Sequence, residues 1–321
     1  MTRARFAPSP TGDLHLGGAW IALASYVLAR RSGGAFVLRN EDLDTPRVVH
    51  GAIDRIVEDL KWLGFAWDEG PGVGGPHGPY EQSKRSDLYE GAIRSLNECG
   101  LVYPCDCSRA EIDLVASAPH EGEERVYPGL CREKDPSRRM KRPAATRLRV
   151  APGTRIRWTD GIQGDFIQDV DREVGDFVLR RGDGVFAYQF AVVFDDAAMK
   201  IDQVVRGADL APSTARQILL ARLMGVTAPQ YFHAPLVVDE NGARVAKRTP
   251  FATLRELRRK GVSADTIIGV LAEGLGLAPT DAPATPDEIA ESVGNGEIRW
   301  RKEPFTPPQA FELSVVSSPR V

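Results

Sequence analysis

Between residues 3 and 98 the chain alternates short apolar runs with segments of helical periodicity, and this alternation restricts the fold more than any other feature. Residues 3–8 read as a short strand running into a turn at Ser9-Pro10-Thr11-Gly12. GGAWIALASYVLARR (17–31) reads as a helix, with Ala19, Leu23, Tyr26, Val27 and Arg30 near one stripe. Ser32-Gly33-Gly34 stops it, with glycine in the C-cap role. AFVLRN (35–40) is an apolar run of strand length. Ile53, Ile56, Val57, Leu60 and Leu63 then recur at helical spacing up to Gly64, and a third helix is expected from about Ser86 to Glu98. Strands that alternate with helices in this way pair in parallel, because parallel neighbours need a crossover rather than a tight turn.

The texture changes over residues 104–153, which hold three cysteines, a basic run and several prolines. DFVLRR (176–181), FAVVFDD (190–196) and the helix STARQILLARLMG (213–225) resume the strand-and-helix pattern. Thr253 to Leu275 is helical in pattern, whereas prolines and polar residues dominate after Ala278. The expected layout is a first catalytic half (1–103), an insertion (104–175), a second half (176–250), a helical extension (251–305) and a flexible tail (306–321). The 321 residues suit two domains at about 150 residues each. The N-terminus MTRARFAPSPTG lacks the apolar core of a secretory signal, and no apolar stretch is long enough to cross a membrane. The cytoplasm is therefore expected, where four cysteines are not read as two disulfides. The net charge of −3 does not mark the whole chain as a nucleic-acid binder. Locally, Arg132, Lys134, Arg138, Arg139, Lys141, Arg142, Arg147 and Arg149 form a basic run that is either a solvated face or a phosphate contact.

HLGG (15–18) lies between the first strand-turn and the first helix. Free backbone N–H groups and a partial positive charge suit a helix N-terminus to phosphate, and glycines there allow close approach. His15 can donate a hydrogen bond to a phosphate. The alternative is a helix start that needs glycine only for packing.

RFAPSPTGDLHLGGA (5–19) followed by FVLRNEDLD (36–44) resembles the opening of glutamyl-type class I aminoacyl-tRNA synthetases. HLGG matches their HIGH signature, and RNEDLDTPR (39–47) matches their RIED-x-D-x-xR segment. The resemblance continues through residues 176–217 and reaches RVAKR (244–248), which matches the KMSKS signature; it covers residues 3 to about 275. It implies an α/β Rossmann-type parallel sheet split by a zinc-stapled connective insertion, with a short helical C-terminal extension. By position, Arg5, Phe6, Ala7, Pro8 and Ser9 line the amino-acid pocket, Glu41 holds the α-amino group, and Tyr188 and Arg206 complete the pocket. His15, Gly17, Gly18 and Lys247 serve ATP, which brings Mg²⁺.

The chemistry of the residues agrees. Arginine binds a carboxylate through two parallel bonds, so Arg206 favours glutamate over glutamine. The glutaminyl relatives lack arginine there. Taken singly, Arg5 and Arg206 are read as surface residues, and Glu41 beside Asp42 and Asp44 as a solvated turn. The sequence departs from the signature at Ala246, which lacks the serine hydroxyl, and at Arg244, which replaces the first lysine.

CDC (105–107) and YPGLC (127–131) place Cys105, Cys107 and Cys131 as three candidate zinc ligands, where structural zinc takes four. The family pattern C-x-C…Y-x-x-x-C implies Tyr127 as the fourth; His120 is the chemically more usual competitor, and three buried free cysteines are the third reading. Cys99, at a helix end, is expected in the core.

Only about 70 residues follow Lys247, too few for the helical anticodon-binding portion of a full glutamyl-tRNA synthetase. The short form, the cysteine spacing and RGADLAPSTARQ (206–217) resemble the short, queuosine-directed branch of the family. That implies a monomer that activates L-glutamate with ATP and transfers it to queuosine in tRNA(Asp), the basic segment contacting tRNA phosphates. A catalytically impaired tRNA-binding paralogue, activation of glutamate for another acceptor, and charging of tRNA(Glu) by a truncated synthetase are the alternatives.

Overall fold

The computed structural model describes residues 2–113, 115, 126–243 and 253–307. The first half runs β1 (Arg3–Phe6), α1 (Leu16–Arg30), β2 (Ala35–Leu38), α2 (Ala52–Trp62) and α3 (Ser86–Glu98). Next come β3 (Val102–Cys105), α4 (Arg109–Asp113), β4 (Ala145–Leu148), the hairpin β5 (Arg155–Asp160) and β6 (Gly164–Asp169), α5 (Val170–Glu173) and β7 (Val178–Arg180). Then follow α6 (Tyr188–Ala198), β8 (Gln203–Gly207), α7 (Thr214–Leu223) and β9 (Gln230–Ala234). Helices α8 (Leu254–Arg259), α9 (Ala264–Leu275) and α10 (Pro286–Val293) come last.

The alternation does produce a parallel sheet. Its order is β2-β1-β8-β9, with parallel pairing throughout. β1 thus lies beside a strand some 200 residues later in the chain, Ala4 opposite Gln203. The intervening chain forms an antiparallel β3-β4-β7 sheet and the two-stranded β5-β6 hairpin.

α1 is buried far beyond the expected stripe: Leu16, Ala19, Trp20 and every residue from Ala22 to Ala29 are inside. A helix that is apolar on all sides is covered on all sides. α1 lies between the sheet and the pair α9 and α10. Trp20 stacks on Phe305 at 5.0 Å between ring centroids, and Tyr26 donates to Asp287 at 2.6 Å. The C-terminal helices are therefore the second cover of the central helix. α10 lies in the stretch where prolines and polar residues dominate; Thr285 and Glu288 form a capping box and Pro286 takes the first helical position.

Three further expectations are corrected or refined. FAVVFDD lies within helix α6. Thr253–Leu275 is two helices rather than one, parted at Gly261, whose φ of +84° belongs to the left-handed region. Cys99 caps α3 but is exposed rather than in the core. Among the described residues no helix is long and apolar enough to cross a membrane.

Candidate active site

From β1 the chain moves outward to β2, and from β8 it moves the other way to β9. Such a switch between neighbouring parallel strands opens a crevice at their carboxyl ends. A cavity of about 580 Å³ lies there. Its walls include Arg5, Phe6, Ala7, Pro8 and Ser9 from the end of β1, Arg206 from β8, and His15, Gly17, Gly18, Glu41 and Tyr188. Residues as far apart in sequence as Arg5 and Val237 thus meet in one cavity. Lys247, with Arg244 and Ala246, lies outside the described residues. The sequence reading did not single out Trp20, Asp44, Arg47 or Asp209, which also line the cavity. Asp209 had a signal, its place three residues after Arg206.

Arg5 and Arg206 are not surface residues; each is 4% exposed. Buried charge needs partners, and here they are shared. Arg39 is completely buried and donates to Asp196 at 2.7 Å and to Glu41 at 3.0 Å. Arg5 donates to the carbonyl of Val205 at 3.0 Å and lies 3.4 Å from Asp196. Asp195 in turn accepts from Arg85, Gln82 and Tyr89 at 2.6, 2.7 and 2.8 Å. Arg39 was quoted within the RNED string but not named as a site residue. The Glu41 side chain is 8% exposed while that of Asp44 is 49% exposed, so the solvated-turn alternative fits Asp44 and not Glu41. Burial lifts the Glu41 carboxyl above the usual range, against the pull of Arg39 and Arg5. Tyr188, the first residue of α6, stands at the mouth, 38% exposed.

His15 is the N-cap of α1. Its Nδ1 accepts from the backbone N–H of Gly18 at 3.2 Å. A neutral imidazole whose Nδ1 accepts carries its proton on Nε2, so the outer nitrogen is a donor. A Cβ at Gly18 would stand 2.4 Å from a terminal methyl of Leu14. A Cβ at Gly17 would stand 3.1 Å from the His15 ring. The lack of a Cβ thus leaves room for the Leu14 side chain at Gly18 and for the His15 ring at Gly17.

The second candidate site lies beyond β3. The sulfurs of Cys105, Cys107 and Cys131 all fall within 4.8 Å of one another. Tyr127 Oη lies 3.3 Å from the Cys105 sulfur and 3.6 Å from that of Cys107, and accepts from the Cys131 N–H at 2.9 Å. Sulfurs around a tetrahedral zinc at about 2.3 Å stand about 3.8 Å apart, so the donor set fits that ion. His120 lies outside the described residues. Burial pushes the Cys107 thiol up to about 11. For Cys105, burial is outweighed by hydrogen bonds from Tyr127, the Cys107 backbone and Arg147, and its thiol falls below the usual range.

Six of the eight basic residues are engaged within the protein. Arg138 bonds Asp106 at 2.6 Å and Arg132 bonds Asp176 at 2.5 Å. Lys141 and Arg142 pair with Glu111. Arg147 lies 3.8 Å over the Tyr127 ring and Arg149 4.8 Å over the Tyr103 ring. Two members of the run, Arg138 and Arg132, are thus the counter-charges to buried Asp106 and Asp176, and four more are held by Glu111 and by aromatic rings. Lys134 and Arg139 have no ion pair or ring contact among the described residues.

The family described as tRNA synthetases class I (E and Q), catalytic domain, matches residues 1–291. A glutamyl-Q tRNA(Asp) synthetase of Symbiobacterium thermophilum is 47% identical over 295 residues, 90% of this chain and 91% of that protein. One from Nitratidesulfovibrio vulgaris is 46% identical over 94% of both chains. A glutamate–tRNA ligase of Anaeromyxobacter sp. is 43% identical over 84% of this chain but only 56% of its own length. Among solved structures, a glutamate tRNA ligase from Elizabethkingia meningosepticum in complex with its amino acid superposes with a TM-score of 0.80 at 29% identity. The match covers 97% of this chain and 68% of that one.

Proposed function

Since the chain belongs to the class I glutamyl and glutaminyl tRNA synthetase family, in the branch of the glutamyl-Q tRNA(Asp) synthetases, and is a ligase, we propose that it activates L-glutamate with ATP and esterifies queuosine at the wobble position of tRNA(Asp). The observation that carries this reading is one cavity holding two buried arginines, a buried carboxylate and the N-terminus of α1.

In this proposal Arg206, with Arg5, binds the substrate's side-chain carboxylate, and Glu41 takes the α-amino group. Phe6, Ala7, Pro8, Ser9 and Tyr188 form the walls. The α-carboxylate faces the helix N-terminus, where ATP lies with Mg²⁺. A carboxylate oxygen attacks the α-phosphorus, the bond to the β-phosphate breaks, and pyrophosphate leaves. His15, through its Nε2–H, and Lys247 stabilise the charge that develops on the phosphates, with Gly17 and Gly18 giving access. A hydroxyl of the queuosine cyclopentenediol then attacks the activated carbonyl, loses its proton and displaces AMP. Both steps are catalysed mainly by positioning and fixed charge, and no protein nucleophile takes part. Cys105, Cys107, Cys131 and Tyr127 hold a structural zinc in the insertion (104–175). The protein acts as a monomer in the cytoplasm.

Incubation with ATP, labelled glutamate and tRNA(Asp), with and without queuosine, tests the acceptor. Label confined to the modified tRNA is expected; equal label on both refutes the queuosine reading. Glutamate-dependent ATP–pyrophosphate exchange tests activation: Lys247→Ala should reduce it strongly, and unchanged exchange would sink the role of the RVAKR segment. Its departures at Arg244 and Ala246 favour the impaired paralogue as the second reading, which predicts no exchange in the unaltered protein.

A further inference from the structure

Arg206 is fixed in the crevice by three side chains. Its Nε–H donates to His233 Nε2 at 3.0 Å, Nη1 to Gln217 at 2.7 Å and Nη2 to Thr214 at 2.7 Å. A guanidinium has five N–H donors. Three are used inside the protein, so one remains on each terminal nitrogen. Two parallel donors match the two oxygens of a carboxylate. They match an amide poorly, because one donor then faces an NH₂.

The Nε contact requires a lone pair on His233 Nε2. His233 is fully buried, and its Nδ1 lies 2.5 Å from Asp160 Oδ2. The other oxygen of Asp160 accepts three backbone N–H groups, from Ile162, Gln163 and His233, at 3.0, 2.9 and 3.0 Å. Burial alone would raise the Asp160 carboxyl; the bonds from His233 and the backbone hold it below the usual range. An ionised Asp160 takes the proton of Nδ1–H, which leaves Nε2 as the acceptor. The His233 ring itself is kept from a second proton first by burial and then by the charge of Arg206, against Asp160 and Asp209. Asp160 ends β5, in the hairpin between β4 and β7, so that hairpin reaches back to the crevice.

We propose that Asp160 and His233 are positioning residues for Arg206: the carboxylate sets the imidazole tautomer, and the imidazole turns the two unspent N–H groups of Arg206 toward a carboxylate substrate. The proposal rests on the reading that Arg206 binds the side-chain carboxylate of glutamate. It adds that preference for glutamate over glutamine is set two residues behind the arginine.

Pyrophosphate-exchange kinetics of the full chain test it. In Asp160→Asn the three backbone donors keep the carbonyl oxygen, so the amide NH₂ faces Nδ1 and drives the proton to Nε2, against Arg206. We expect KM for glutamate to rise about tenfold or more, with KM for ATP changed less than about twofold and the preference over glutamine narrowed. His233→Leu should do the same, whereas His233→Gln restores an acceptor and should stay within about threefold of the parent. Unchanged glutamate KM in folded Asp160→Asn and His233→Leu proteins overturns the proposal, as do equal losses in His233→Gln and His233→Leu. Imidazole ¹⁵N spectra of the unaltered protein give an answer that needs no variant to fold. A neutral ring protonated on Nδ1 from about pH 6 to 8 is expected, and protonation on Nε2 overturns the assignment. Arg206→Ala separates the two levels. Unchanged glutamate KM there removes the reading of Arg206 and the proposal with it. Raised KM there with unchanged Asp160→Asn and His233→Leu removes the positioning role alone.

Discussion

The crevice at the ends of β1 and β8 and the cysteine cluster beyond β3 both concentrate ionisable groups, and they neutralise them differently. In the crevice, Arg39 is shared between Glu41 and Asp196, and Arg5 leans on the same Asp196. Arg39 Nε, 3.9 Å from Asp195, has no hydrogen bond among the described residues, and Arg206 keeps two donors beyond its three partners. In the cluster three sulfurs crowd a phenol; Arg138 is shared between Asp106 and the Cys131 sulfur at 3.3 Å, and Arg147 lies over the Tyr127 ring. The difference teaches that one region balances opposite charges against each other, whereas the other gathers three sulfurs and a phenol of like character, the donor set that fits zinc.

Breaking the first region should have the largest effect. Arg39→Met leaves Glu41 and Asp196 buried without their cation. Glutamate-dependent exchange should fall by about 100-fold or more, and stability by about 3–5 kcal/mol in denaturant titration. Activity near the parent value would show that the charge network is dispensable. The second region should fail separately. Cys131→Ser, or stripping with a chelator, should abolish stoichiometric zinc and lower the melting temperature, while exchange at low temperature stays within a few-fold, about fivefold at most. Loss of exchange in step with loss of zinc would erase the contrast.

A smaller effect comes from a buried charge that neither strategy satisfies. Asp59, on α2, is fully buried; among the described residues neither carboxyl oxygen has a hydrogen bond, and Arg255 Nε stands 3.5 Å away. Burial pushes its carboxyl up to about 6. A carboxyl raised on folding binds its proton more tightly in the folded state, so its burden on stability appears as pH rises from about 4 through about 6 and is full above that. Asp59→Asn should therefore stabilise the protein at pH 8 by roughly 2–3 kcal/mol and have little effect near pH 4. A pH-independent change would place the effect in packing instead. The smallest effect should come from the basic segment. Because six of its eight cations are engaged within the protein, Lys134→Ala with Arg139→Ala should weaken tRNA binding only a few-fold and reduce its salt slope by about 1–2. A steeper loss would return the whole run to the phosphate-contact reading.

The legibility of these regions followed the range of the interactions. α3 was read to its ends because its apolar spacing and Gly100 are local signals. The cavity residues Arg5, Glu41, Tyr188 and Arg206 were found through ordered motifs. Arg39 was passed over because only burial distinguishes it from any other arginine. His233 and Asp160 carried no signal at all. They sit 73 positions apart, and β9 and the end of β5 meet only through tertiary packing. Pro286 and its polar neighbours hid α10, whose stability comes from packing against α1 rather than from its own pattern.

By itself, the sequence determined the alternation that yields a parallel sheet, the switch at HLGG from strand to helix, and the set of side chains suited to a dicarboxylate and a nucleotide. Those follow from backbone geometry and side-chain chemistry, which are local. The tertiary structure decided which charges are buried together, that Arg39 is shared, that six of the eight basic residues in the run are engaged within the protein, and that an imidazole from β9 sets the direction of Arg206. Those depend on distance and dielectric, which exist only once the chain has closed on itself.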